Sequence, residues 1–267
     1  MSSVTAAEMR ALEEAAFARG IEAGTLMDEA GAGVARRLLA RVPGPGTAIA
    51  FIGKGNNGGD ALVVLEHLRR AGWAVQVRAS HPSRDWSVLA RQRQRRLGPS
   101  DPPRESGPLV LLDGLLGIGG RGSLREPLAS LAAEMAQLRQ DRGAIVAAID
   151  LPSGLDADTG QAEDTAVTAD WTFTLGAPKR GLVADAAVNH VGRLVLVPLA
   201  ALPMPAAGDP QLASPEAFPG QLTPRPQDIH KGRAGRVAVR DGTPRMTGAA
   251  VLTASGAQRR GARLFTL

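Results

Sequence analysis

Three apolar runs in this chain end in side chains that could do chemistry. Ala48-Ile49-Ala50-Phe51-Ile52 breaks into Gly53-Lys54-Gly55-Asn56-Asn57-Gly58-Gly59-Asp60. Leu109 to Leu112 ends at Asp113, and Ala144 to Ile149 ends at Asp150, followed closely by Ser153. Four glycines between positions 53 and 59 cannot be a strand or helix interior, where each costs about 0.5–1 kcal/mol relative to alanine. They serve a turn, and the helical spacing of Ala61, Leu62, Val64, Leu65 and Leu68 begins directly after it. Strand, glycine loop and helix together put free backbone N–H groups at a helix start, a cradle for an anion or polar ligand.

Gly53, Gly55 and Gly58 complete a literal G-x-G-x-x-G in the strand-to-helix setting that gives this pattern its meaning. The ordinary dinucleotide fingerprint also needs an acid about 20 residues later for the ribose hydroxyls. None is present: the following strand, Ala74 to Ala79, ends near Arg78 and Ser80. The loop carries a polar Asn-Asn pair and Asp60 instead, and Asp60 either caps the helix dipole or faces a ligand.

The elements that must position these residues alternate along the chain. Thr5-Ala6-Ala7-Glu8 is a capping box opening a helix to about Arg19, and a second helix runs from about Leu26 to Ala40. After the Ala74–Ala79 strand, Ser83 is placed to cap a helix through Leu97, whose Arg91, Arg93, Arg95 and Arg96 read as a solvated face. Helix from about Pro127 to Asp141, strand at Trp171–Leu175 and strand at Leu194–Val197 complete the series. The strands are apolar throughout, as in a parallel sheet buried on both faces. In such sheets the ligand crevice lies beyond the carboxyl ends of the strands, so the Asn56–Asp60 loop, Asp113 and Asp150 should converge there.

Composition narrows the function classes. The 267 residues contain no cysteine, which removes disulfide, thiolate-metal and thiol-nucleophile chemistry. Arginine supplies nearly all of the 31 basic residues, with lysine only at 54, 179 and 231. A net charge of +5 with only 3% aromatic residues argues against a nucleic-acid partner, which would use stacking aromatics. With neither a leader-like start nor an 18-residue apolar run, no membrane association is expected and the expected location is cytoplasmic. His67, His81, His190 and His230 have no metal-ligand spacing.

Asn-Asn-Gly-Gly-Asp after a strand, Asp113-Gly-Leu-Leu-Gly-x-Gly, Asp150-x-Pro-Ser-Gly and Phe173-x-Leu-Gly-Ala-Pro-Lys occur in this order. In these motifs the chain resembles the NAD(P)H-hydrate epimerase family over about residues 4 to 200. The resemblance implies an α/β, Rossmann-like three-layer sandwich with a mainly parallel sheet and two N-terminal helices. It implies a small-molecule substrate, hydrated NADH or NADPH, whose R and S forms are interconverted, and a homodimer. It places a potassium ion at Asn57, Asp113 and Ser153. It places substrate at Asn56, Asn57, Gly58, Gly59 and Asp60, at Gly117, Ile118, Gly119, Gly120, Arg121, Gly122 and Ser123, and at Asp150. One departure is Ala61, where a glycine is usual; alanine is a good helix former, so little harm is expected.

The chemistry suits these residue types. Inversion of the hydroxyl-bearing ring carbon proceeds through loss of hydroxide to an iminium, or through ring opening, and either route moves a proton beside an emerging cation. Asp150, at a strand end in apolar surroundings, is the expected acid/base, since burial lifts a carboxyl into the useful range. Asn, Asp and Ser are all oxygen donors, as potassium requires. A non-catalytic ligand- or RNA-binding module on the same scaffold is the alternative, because a fold does not fix a function.

Domain limits are expected at 1–201 for the epimerase unit, with a Pro/Ala-rich linker over 202–228. Residues 229–267 resemble a truncated opening of the ADP- or ATP-dependent NAD(P)H-hydrate dehydratase domain, too short for dehydratase activity. Its apolar strands, Val237-Ala238-Val239 and Leu264-Phe265, are expected to lack pairing partners.

Overall fold

Thr5 opens helix α1 (Ala6–Ala18) with the expected capping box: its Oγ accepts from the Glu8 N–H, and Glu8 Oε2 accepts from the Thr5 N–H at 2.7 Å. Helix α2 (Ala23–Leu39) follows a left-handed Gly20, and then strand β1 (Thr47–Ile52) begins. Helix α3 (Asn56–Arg70), strand β2 (Ala74–Ala79) and helix α4 (Val88–Leu97) come next. Strand β3 (Leu109–Gly114), helix α5 (Leu128–Arg142), strands β4 (Ile145–Ile149) and β5 (Trp171–Leu175), the single turn α6 (Val188–Val191) and strand β6 (Arg193–Val197) complete the series. The computed structural model describes residues 2–120, 122–202, 236–239, 248–259 and 264–266. The chain divides into two compact units, Met1–Ala213 and Ser214–Leu267.

The first unit is built on a six-stranded sheet in the order β2-β1-β3-β4-β5-β6, with every neighbouring pair parallel. The strand alternation sorts two cores. Ala48, Ala50 and Ile52 point to the layer formed by α2, α3 and α4, where Val34, Leu38, Leu62, Leu65 and Ala90 are buried. Ile49 and Phe51 point to the other face, against Ala132 and Met135 of α5. The result is the three-layer α/β/α sandwich that continuous apolar strands demand. Each fully buried Leu or Phe contributes about 1.5–3 kcal/mol, so these two layers carry the stability of the unit.

Two expectations about α4 are corrected. Ser83 lies in a short turn, Ser83–Asp85, and the cap is Ser87, whose Oγ accepts from the Ala90 N–H at 3.1 Å. The arginines are not one solvated face: Arg93 is buried and donates to Gly24 O at 2.8 Å and to Asp28, while Arg96 bridges Asp28 and Glu66. Arg95 is exposed, as expected. The reason is the crossing of α4 over α2 and α3, which carry those two acids and turn an arginine row into ion-pair partners.

In the second unit, strand β7 (Arg236–Ala238), helix α7 (Gly248–Arg259) and strand β8 (Leu264–Thr266) are described. The expectation that these strands lack partners is also corrected: β7 and β8 pair with each other, parallel, with Val237 opposite Phe265. The parallel pair is connected through α7, so the short segment satisfies part of its own backbone. The linker expected over 202–228 lies outside the described residues beyond Leu202. No helix among the described residues is long and apolar enough to cross a membrane.

Candidate functional site

Sheet order decides where a ligand can sit. The chain runs outward from β1 to β2 and then returns to the other side of β1 to place β3, so β1/β3 is the switch point, and crevices in open α/β sheets open there. A cavity of about 590 Å³ lies at this place, the size of a small-molecule site. Its walls come from the turns after β1, β3, β4 and β5, with side chains of α1 and α2 also lining it.

The turn after β1 must approach the turn after β3 closely. A Cβ on Gly53 would stand 1.9 Å from Leu115 O, so only glycine fits. Gly55 is the N-cap of α3, and Asn56 and Asn57 are its first two residues, both on the cavity wall. Asn57 Nδ2 donates to Leu116 O at 2.9 Å, tying the two turns together. Gly58 and Gly59 are buried away from the wall, and a Cβ on Gly59 would meet the Met27 thioether at 2.6–2.7 Å. They let α3 pack against β1 and α2 rather than line the cavity. Ala61 is fully buried and is tolerated because its β3 neighbour is Gly114, where an added Cβ would meet the Ala61 methyl at 2.8 Å.

Asp60 is the fifth residue of α3, past the first turn, so it does not cap the helix. It lines the cavity, and burial, then the Asp150 and Glu13 carboxylates, hold its carboxyl well above the ordinary range.

Asp113 and Ser153 sit behind the wall. Asp113 is fully buried and accepts from Ser153 Oγ at 2.6 Å, Ser153 N at 2.7 Å and Leu115 N at 3.2 Å. The Leu116 N–H donates to Ser153 Oγ at 2.9 Å. Asn57, Asp113 and Ser153, separated widely in sequence, thus close around the Leu115-Leu116 backbone. Burial outweighs these three donors and pushes the Asp113 carboxyl up from 3.8 to about 6. The folded chain therefore binds this proton more tightly than the unfolded chain, so the contribution favours folding at low pH and is lost as pH rises through about 6. In potassium-free buffer, wild-type stability should fall by about 2.4 kcal/mol relative to Asp113→Asn between pH 4 and pH 7. Urea titrations at several pH values measure this, and parallel curves for the two proteins would refute it.

Asp150 is the one non-glycine residue with positive φ (71°) among the described residues, a strained backbone held at the mouth of β4. Its Oδ1 accepts from the Leu175 N–H at 3.1 Å and from Lys179 Nζ. Lys179 is fully buried and also donates to Leu175 O at 2.9 Å and toward Thr174 Oγ1 at 3.4 Å. A short parallel bridge holds this lysine in place, with Val4 N–H donating to Pro178 O and Arg180 N–H to Val4 O, each at 2.8 Å. Asp150 Oδ2 has no hydrogen-bond partner among the described residues, and Asp150 lines the cavity.

Gly117, Ile118, Gly119 and Gly120 also form the wall, whereas Gly122 and Ser123 do not reach it and Arg121 lies outside the described residues. Two wall residues were not singled out from the sequence. Lys179 had a signal, being one of three lysines in an arginine-dominated chain, where an ammonium rather than a guanidinium must be the group that fits. Glu13 of α1 had none, because its helix precedes the sheet and nothing local marks the face it presents. Burial and then Asp150 raise its carboxyl above the ordinary value, against the opposing pull of Lys179 and Arg10. Among the described residues no group of three or more His, Cys, Asp and Glu side chains is placed to hold a metal ion.

The chain is similar to known proteins over this unit and beyond it. The family described as YjeF-related protein N-terminus matches residues 23–181. A protein of Cenarchaeum symbiosum named NAD(P)H-hydrate epimerase is 36% identical over 71% of this chain and 94% of its own length. Proteins named bifunctional NAD(P)H-hydrate repair enzyme Nnr from Pyrobaculum aerophilum and Methanopyrus kandleri are 36% and 34% identical over 100% and 99% of this chain. This chain spans about half the length of those two relatives, 54% of each. The crystal structure of yeast ynu0, YNL200c, shares the fold with a TM-score of 0.55 at 18% identity, over 73% of this chain and 87% of that one. With the switch-point turns, the buried Asp113–Ser153 pair and the Asp150–Lys179 pair all inside the matched span, the chain belongs to the YjeF-related N-terminal family.

Proposed function

We propose that the first unit epimerises hydrated NADH and NADPH, interconverting the R and S forms of the damaged cofactors as a repair step, with the active region within 1–201. The observation that carries this reading is Asp150: a strained, buried strand-end carboxylate, fixed through Oδ1 by a buried lysine, with Oδ2 unpaired among the described residues, on the wall of a cavity of small-molecule size. The name borne by the archaeal relative that this chain nearly spans supports it. Asp150 Oδ2 gives a proton to, or takes one from, the oxygen on the hydroxyl-bearing ring carbon, and the Asp150 carboxylate would favour the positive charge that develops on the ring nitrogen. Lys179 fixes the orientation of Asp150. The glycine turns after β1 and β3 offer backbone N–H groups to the polar remainder of the nucleotide.

A potassium ion fits the Asn57–Asp113–Ser153 cluster. The donors are all oxygens, which suit a hard cation, and Asp113 is buried with no basic side chain among the groups that act on it. Asn57 would contribute Oδ1, Asp113 its carboxylate and Ser153 its hydroxyl; the ion would supply a fixed positive charge under the cavity floor.

The test starts from one pure epimer of hydrated NADPH. The protein should bring the isomer ratio to equilibrium faster than buffer alone, and an unaccelerated ratio would refute the assignment. Replacing potassium with tetramethylammonium should raise KM, and Asp113→Ala should remove that cation dependence; wild-type KM indifferent to the cation would refute the ion site.

A further inference from the structure

Inversion at a ring carbon poses a geometric problem that a single carboxylate does not solve. The hydroxyl leaves from one face of the ring and returns to the other, so a proton is needed on each side. The acids on the cavity wall, among the described residues, are Glu13, Asp60 and Asp150. Asp150 comes from the end of β4 and Asp60 from the second turn of α3, both on the sheet side. Glu13 alone enters from α1, a helix that precedes the sheet and is not part of it. Its carboxylate accepts no hydrogen bond from the described residues, whereas Asp150 already holds Lys179 through Oδ1.

We infer that Glu13 is the second catalytic residue of the site, serving the ring face opposite to Asp150. The inference rests on the epimerase reading of the cavity. For the epimer whose hydroxyl faces α1, the Glu13 carboxyl gives its proton to that hydroxyl as the carbon–oxygen bond breaks. The bonding pair leaves with the new water, and the ring nitrogen lone pair closes the iminium. Water then adds to the same carbon from the other face through its own lone pair, the iminium π pair returns to nitrogen, and the surplus proton passes to Asp150 Oδ2. For the other epimer the two carboxyls exchange roles, and solvent resets the protons between turnovers.

The surroundings favour the protonated form of this carboxyl over that of an ordinary glutamate. Asp60 from α3 and Asp150 from β4 face Glu13 with like charge, and only Lys179 and, on its own helix, Arg10 oppose them. Lys179 is engaged with Asp150. The α1 helix is also fixed rather than free to swing: its N-terminus is boxed by Thr5 and Glu8, the Ala6 N–H is bound by Asp158, and Val4 is clamped to residues 178–180.

Glu13→Gln, assayed in heavy-oxygen water, separates catalysis from mere support. Inversion should fall about 100-fold, the ordinary worth of one positioned acid/base, while one epimer still takes up heavy oxygen with retention of configuration through Asp150 alone. Glu13→Asp, which keeps the acid, should recover part of the inversion rate, and it serves where the glutamine variant does not fold. Inversion and label uptake falling together, the mark of a structural side chain, would overturn the inference. So would an unchanged inversion rate, or wild-type inversion without label uptake. A wild-type protein that does not accelerate epimerisation at all refutes the epimerase reading itself and is distinguished by that first control.

Discussion

Asp150→Asn should lower inversion by about 100-fold or more while the protein remains folded. Asparagine is the right substitution for three reasons. It tolerates positive φ about as well as aspartate, so the strained turn at the end of β4 keeps its conformation. Its Oδ1 can still accept from Leu175 N–H and Lys179 Nζ. What it lacks is a group that carries a proton on Oδ2. A modest loss of stability, about 1–3 kcal/mol, should accompany the change because the buried ammonium loses its countercharge. Urea unfolding measures the second quantity and the epimer assay the first. An unchanged rate in a folded variant would remove Asp150 from the mechanism.

Lys179→Met should have the larger effect on stability. It leaves the Asp150 carboxylate buried without its cation, and breaking one side of a buried ion pair costs about 3–5 kcal/mol. Inversion should fall at least as far as in Asp150→Asn, because the catalytic carboxylate loses the contact that aims it. Lys179→Arg should not rescue either property: the wider guanidinium has to enter a fully enclosed position shaped for an ammonium. The double variant Asp150→Asn, Lys179→Met should regain most of the stability and none of the activity, since the two losses share one contact. Additive stability losses in the double variant would show that the pair is not the coupled unit described here.

The layers of the fold were legible because they follow from local pattern. Continuous apolar runs at 48–52, 109–112 and 144–149 could only be doubly buried strands, and the polar residues ending each run marked one edge of the sheet. The order of the strands was not local and was not read from the sequence; only their mainly parallel arrangement followed from the resemblance. What escaped reading depended on tertiary crossings. Arg93 looks like its neighbour Arg95, and only the packing of α4 against α2 brings Asp28 to it. Ser83 and Ser87 are equivalent caps in sequence, and the turn at Pro82 to Trp86 chooses the second. Gly58 and Gly59 sit inside a ligand-like motif, but the close approach of Met27 and β1 explains their lack of side chains. Glu13 could be found only after α1 was seen to line the cavity.

The bridge between Val4 and Lys179 joins the first and nearly the last segments of the sheet unit. Bringing such distant segments together is the entropically most demanding closure in that unit, so it belongs late in folding rather than early. During synthesis Lys179 emerges only after all but one strand of the sheet, and its clamp has waited at the amino end throughout. A chain not yet made that far can therefore own the glycine turns, Asp113 and even Asp150 while lacking the lysine that holds Asp150, so the proposed activity would wait for five of the six strands.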